Sequence, residues 1–447
     1  MNYVIGIILI LSFLGMIYYC VKGHNLLVGF LIMATLWVLL PLIGNLFSPN
    51  SAMEGKTLVQ ILTDVYQTAP QNYGSSILVN IFFGAFFGKV LLETGIAATL
   101  IRLTVELGGD KPMITMGLLC IVTTVIFTSM TGAGPVISIA VIVLPILLSL
   151  GIPNAIALFA FMGSIMAGIL LNPVNFKQYQ QMFVVVDEKY STYTFQEYSR
   201  FGIIALIVAL IIVIIFASVN LKRSKTSHAW AAQPKTQNSG NAPWYSLIAT
   251  ILPVVGVIAF NLPVIFGFLF SSLYALLTCG KLKGGYKEVC RLISKLFADG
   301  AVDTAPMIGF LLTLAMFNTA ATYASPYFQT ILGGFIPTTA LVLCIAFAVL
   351  APLGFFRGPM NLVGCGAAIL VIILKSSAQF PIQLLYPLFG ITTVVMQHLD
   401  ITQSWVAWGL GYTKVSSKEY MKMSIPSGWL IAVILCAVTY VMFGSLA

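Results

Sequence analysis

Fourteen apolar runs of 16 to 23 residues follow one another along the chain, from about 3–20 to 425–446, with more polar stretches between them. A run of this length holds its backbone hydrogen bonds within itself only as a helix, and about 20 such residues cross a bilayer. The chain therefore has material for about ten to thirteen apolar helices. Charged residues make up 8% of the 447 residues, against about 25% in a soluble domain. That excludes a soluble enzyme, a nucleic-acid-binding protein and a disordered regulator. A β-barrel is excluded as well, because it would show short alternating segments. The fold class expected is an all-α polytopic membrane protein in a lipid bilayer. The first run lacks a basic leader and a cleavage-like site, so it is read as a retained helix and not a signal peptide.

The seven cysteines include no CxxC pair. They suggest neither a disulfide framework nor a metal site, and no cofactor motif is present. The net charge of +9 is read as a bias of cytoplasmic loops and not as a nucleic-acid footprint.

The chain repeats itself. Leu107-Gly108-Gly109 with Pro112 recurs as Leu332-Gly333-Gly334 with Pro337. Ala97-Ala98-Thr99 recurs as Ala320-Ala321-Thr322, Gly134-Pro135 as Gly358-Pro359, and Glu197-Tyr198 as Glu419-Tyr420, all at shifts of 222 to 225. The polar stretch 221–243, rich in Ser, Asn, Gln and Lys, reads as a flexible linker. It separates a first repeat (1–221) from a second (244–447). Each repeat is expected to have about five crossings plus a re-entrant helical hairpin, at 113–150 and 338–374, and a broken helix. Five is odd, so the repeats are inverted. With the linker in the cytoplasm, inside segments hold fifteen basic residues and outside segments five. This obeys the positive-inside rule and places both termini outside an inner (plasma) membrane.

Inverted repeats with interrupted helices describe a secondary transporter whose site lies at the midplane. The first hairpin breaks at Thr128-Ser129-Met130-Thr131-Gly132-Ala133-Gly134-Pro135. There the hydroxyls of Thr128, Ser129 and Thr131, and the free N–H groups near Gly132 and Gly134, suit a carboxylate or a cation. The second breaks at Gly354-Phe355-Phe356-Arg357-Gly358-Pro359-Met360-Asn361. An Arg within apolar sequence costs ~3 kcal/mol on insertion and faces a cavity or a partner. Its fork suits a carboxylate. Arg357, Gly358 and Asn361 are the expected anion clamp; a structural Arg357 paired with an Asp or a carbonyl is the alternative.

Pathway or coupling-ion candidates are Ser164, Asn172 and Asn175 in the first half. Thr392, Thr393, His398 and Asp400 are their counterparts in the second. Asn172 and Gln397, Asn175 and Asp400, and Gln178 and Gln403 all match at a shift of 225. Glu93 stands four residues after Lys89, a spacing that pairs them on one helix face. His398 and Asp400 form a second titratable pair. Asp303 is expected to open a helix as an N-terminal cap.

Together, the hairpins, the breaks and the segment TGAGPVISIAVIVLPILLSLGIP (131–153) resemble the ion transporter superfamily, in its gluconate–proton and citrate–metal symporter branches. The Ser-Asn-Thr signature of the sodium–dicarboxylate branch is absent at both tips. The resemblance implies a symporter working by elevator motion, often as a homodimer. The function expected is ion-coupled symport of a small organic anion, a carboxylate such as citrate, gluconate or a dicarboxylate, with a proton preferred to sodium as coupling ion. The alternatives are a cation–proton antiporter and the membrane subunit of a binding-protein-dependent permease. No HExxH or membrane nucleophile–His pair supports an enzyme.

Overall fold

The computed structural model describes residues 2–224, 241–376 and 379–446, with the side chains of residues 306 and 376 left out. Most of the expected linker, 225–240, lies outside the described residues. Among those described every regular element is helical, and seven helices are long and apolar enough to cross a membrane. The number is eight when one bent pair counts as a single span. The protein is thus a multi-pass helical membrane protein. The number of full spans is below the number of apolar runs because several runs form helices of 10–17 residues.

In the first half the order is α1 (Asn2–Val21), α2 (Leu26–Asn45), α3 (Leu58–Glu93, with two π turns) and α4 (Ile96–Gly108). The hairpin arms α5 (Pro112–Phe127) and α6 (Ala133–Ser149) follow. Next comes the bent pair α7 (Asn154–Ile169) and α8 (Pro173–Val184), at 63° to each other, and then α9 (Phe195–Arg223). Asn172-Pro173 makes the bend, since Pro opens a helix at no hydrogen-bond cost. Thr194 and Glu197 close a capping box at the start of α9.

The second half runs α10 (Leu252–Phe260), α11 (Val264–Thr278) and α12 (Tyr286–Leu332). The hairpin arm α13 (Ala340–Leu350) leads through a 3₁₀ turn (Ala351–Arg357) and a tight loop to the second arm, α14 (Gly366–Ser376). Helix α15 (Ile382–Gly390) then passes through a π turn (Ile391–Val395) and stops at His398. Last are α16 (Ser404–Thr413) and α17 (Ser417–Phe443). Hairpin and interrupted helix therefore occur once in each half, in the same order. Asp303 does not open a helix. It lies inside the 47-residue α12, which runs unbroken through Gly300; α12 also continues past Asn318, the repeat counterpart of Gly95, which at φ 74° separates α3 from α4.

Two bodies of packed helices result. Helix α12 packs along α2, α3 and α1, while α3 also packs on α11. The seam of α2 and α12 is aromatic: the ring of Trp37 lies 5.0 Å from those of Phe317 and Phe328, and Phe30 stacks on Phe317 at 5.4 Å. In the other body α7 packs between α5, α6 and α9, and α17 packs on α13, α15 and α9. Phe176, Tyr198 and Tyr386 join the two halves there, with ring centroids 5.0 to 5.4 Å apart. The hairpin tips lie where the two bodies meet: α6 touches α3 and α12, α14 packs on α12, and the 3₁₀ turn before Arg357 touches α1.

Candidate functional site

Each hairpin tip is fastened to the interrupted helix of its own half. In the first half the fastener is Asn172. Its Oδ1 accepts from the N–H groups of Val174 and Asn175, capping α8. Its Nδ2 donates to the carbonyls of Phe127 (3.2 Å) and Met130 (3.1 Å), which are the end of α5 and the turn of the tip. One amide thus satisfies groups at two chain breaks, which is what buried backbone requires. Further down, the Thr124 Oγ1 donates to the Ser164 carbonyl at 3.0 Å, and the Ser164 hydroxyl donates to the Ala160 carbonyl.

In the second half the roles are reversed. The Thr393 hydroxyl, from the π turn of α15, accepts the Leu362 N–H at 2.9 Å. Asn361 holds the loop itself, donating to the Gly354 carbonyl and accepting from the Val363 N–H. The Gly358 carbonyl accepts the Asn361 N–H at 3.0 Å. Thr392 donates to carbonyls of its own helix. Gly354 is required here, since a Cβ would run into the Thr392 carbonyl.

Arg357 follows Phe356, and both have left-handed backbone, at φ 54° and 56°. Side chains adopt that region rarely, at a cost of about 1–3 kcal/mol, and mostly at functional sites. One terminal amino group donates to the Gln403 side-chain carbonyl at 2.6 Å. The guanidinium lies 5.4 Å from the ring centre of Phe310 on α12. The other amino group, Nη1, is buried with no hydrogen-bond partner in the protein. Among the described residues Arg357 makes no ion pair. Asp400 and Tyr179 are close enough to feel its charge, but Asp400 is engaged elsewhere. Its carboxylate accepts the N–H and hydroxyl of Thr402.

The other expected residues divide clearly. Ser129 is fully buried and its hydroxyl has no partner; Asn175 Oδ1 and Gln397 Oε1 are likewise buried and unpartnered. Asn175 Nδ2 donates to the Tyr179 hydroxyl at 3.4 Å. Thr128 and Thr131 are buried at the first tip, where the Thr128 hydroxyl donates to the Val125 carbonyl. Gly132, at φ 99°, makes the turn. A buried polar atom without a partner is expensive in a finished core, so these atoms mark where a ligand or water is needed.

Two expected pairs do not form. His398 Nδ1 bonds the Val394 carbonyl at 2.8 Å and its ring faces Trp405, not Asp400. Glu93 pairs with Lys281 at 3.4 Å, at the half-exposed end of α3. Lys89 turns away from Glu93 and pairs with Asp303 at 2.8 Å. A lone charge in an apolar helix finds the nearest opposite charge in space, whatever its spacing along the chain. Sequence reading missed Phe310 and Tyr179 altogether; nothing in their local sequence distinguishes them from core aromatics.

No protein-family model matches the sequence, and no curated protein does. Among solved structures, the chain is similar to the YdaH transporter of Alcanivorax borkumensis, described as having an unusual topology. The likeness has a TM-score of 0.66 at 11% identity and covers 94% of this chain and 99% of that one. It is also similar to MtrF of Neisseria gonorrhoeae, described within a class of antimetabolite efflux pumps. Here the TM-score is 0.64 at 13% identity, over 93% of this chain and 94% of that one. The chain therefore has, over nearly its full length, a fold that solved membrane transporters also have.

Proposed function

We propose that the protein is a secondary active transporter of a small organic anion, a carboxylate, driven by a coupled ion, with a proton preferred to sodium. One observation carries the reading. Arg357 stands half-buried at a hairpin tip, in a costly backbone conformation, with a neutral amide as its side-chain acceptor and one amino group buried and unpartnered. A structural Arg would be expected to pair with a carboxylate or fill its donors with carbonyls. A cation left half-satisfied between two bodies of helices is suited to an anion that comes and goes. Ser129 and Asn175 supply further polar atoms, and the fold shared with YdaH and MtrF fits a transport role. The proposal includes an inner-membrane location with 221–243 in the cytoplasm, and inverted repeats at 1–221 and 244–447.

The test is uptake of labelled citrate, gluconate and succinate into proteoliposomes under an imposed proton or sodium gradient, for wild type and Arg357→Gln. Gradient-driven accumulation of one of them, lost in a folded Arg357→Gln protein, is the expected result. A cation–proton antiporter is the second reading, favoured by one observation: Asp303 brings a carboxylate to the first tip. Dissipation of a proton gradient on adding sodium, with no anion accumulated, would establish it instead.

A further inference from the structure

The Lys89–Asp303 pair lies outside the clamp just described, and its two side chains are 20% and 17% exposed. Lys89 belongs to α3 and Asp303 to α12, helices that pack on each other. The pair nevertheless meets the first hairpin tip. A Cβ on Gly134, the second residue of α6, would overlap the Asp303 carboxylate, whose atoms are the three nearest to it. The first-turn N–H groups of a helix have no acceptor within it, and that end carries a partial positive charge. Asp303 thus rests a carboxylate against the tip that the anion reading assigns to the substrate. The Ser129 hydroxyl, fully buried and unpartnered, belongs to the same tip.

A second observation ties Asp303 to the clamp. Phe310, under the Arg357 guanidinium, is seven residues on from Asp303 along α12. Seven residues are two turns, so both lie on one face of α12, about 10 Å apart along its axis. One helix face therefore touches both tips, with an anion at one and an unpaired cation at the other.

We propose that Asp303 is an internal carboxylate ligand of the first tip, which holds the place of the substrate's carboxylate and neutralises Lys89 while the site is empty. The incoming anion displaces it and takes Lys89 as a counter-charge. Lys89 and Asp303 are then specificity-determining residues: a neutral analogue has nothing to exchange for the carboxylate. The inference rests on the anion reading and adds a competitor to it.

The experiment measures the half-saturation concentration for uptake of citrate, gluconate and succinate in proteoliposomes. Asp303→Asn is expected to lower it about tenfold, the equivalent of 1.4 kcal/mol. Gly134→Ala fills the place that Asp303 and the substrate's carboxylate occupy in turn, and is expected to raise it. Asp303→Asn leaves Lys89 unpaired, so the double variant Lys89→Met/Asp303→Asn guards against misfolding. It buries no lone charge; with competitor and counter-charge both gone, its half-saturation value is expected to lie above that of Asp303→Asn, and its preference for succinate over the neutral succinamide to be weaker than wild type's. An unchanged or raised value in folded Asp303→Asn, or a double variant that prefers succinate to succinamide as strongly as wild type does, with wild-type uptake intact and sensitive to Arg357→Gln, overturns this inference alone. Failure of the wild type to accumulate any of the three anions overturns the anion reading, and this inference with it.

Discussion

Arg357 holds its position through one neutral hydrogen bond and one aromatic face, and neither cancels its charge. The fork matters if the partner is a carboxylate, since two parallel N–H···O bonds demand a planar guanidinium. Arg357→Lys should keep the charge and lose the geometry, raising the half-saturation concentration by about ten- to a hundredfold, while Arg357→Gln abolishes uptake. Equal loss in both, with the half-saturation value of any residual uptake unchanged, would point to a packing role. Asn172 is the complementary case, a residue whose place was legible and whose work was not. Its repeat match with Gln397 marked it as a pathway lining. In the structure its amide is a strut between two chain breaks. The carbonyls it reaches are 42 and 45 residues away, and a sequence does not place them together. Asn172→Ala leaves those backbone groups unmet and should destabilise the protein by about 1–3 kcal/mol, read as a lowered thermal midpoint in detergent.

At the scale of elements, the breaks were the most legible feature, because Gly and Pro interrupt apolar runs for a stated reason. Both hairpins and the bend at Asn172-Pro173 fall where those residues stand. Two things were hidden. The first is the continuity of α12 past the place where its repeat partner turns at Gly95. The second is the choice of partner by Lys89, which ignored the i,i+4 spacing to Glu93 for a helix in the other half. Close approach of a tip to its interrupted helix can be tested with one methyl group. Gly354→Ala forces the second tip off the Thr392 carbonyl, and overpacking of this kind costs about 1–3 kcal/mol. Uptake and the thermal midpoint should both fall. Gly411, inside α16 with nothing near a Cβ, is the control. Gly411→Ala should leave uptake intact and raise stability by about 0.5–1 kcal/mol. A Gly354→Ala protein that transports like the Gly411→Ala control would mean that the tip is not seated as closely as the geometry requires.

For the whole molecule, the proposed transport by alternating access needs one body to move against the other with the tips at the seam. The chain carries its own reporter of that seam. Cys20, near the end of α1, and Cys365, just before α14, have their sulfurs 3.5 Å apart and both are buried. Read separately along the sequence, they are two small hydrophobes; only the packing of one half on the other makes them a pair. A disulfide bond is about 2.0 Å long, so copper–phenanthroline with dissolved oxygen needs only a small approach to join them. If the second hairpin travels relative to α1, the joined protein is held in one state. Uptake should then fall to background on oxidation, return with dithiothreitol, and be indifferent to both reagents in Cys20→Ser. A protein that is fully cross-linked by mass spectrometry yet transports at the wild-type rate would show that α1 and the second tip move as one body. The moving seam would then have to run elsewhere, between α12 and the tips.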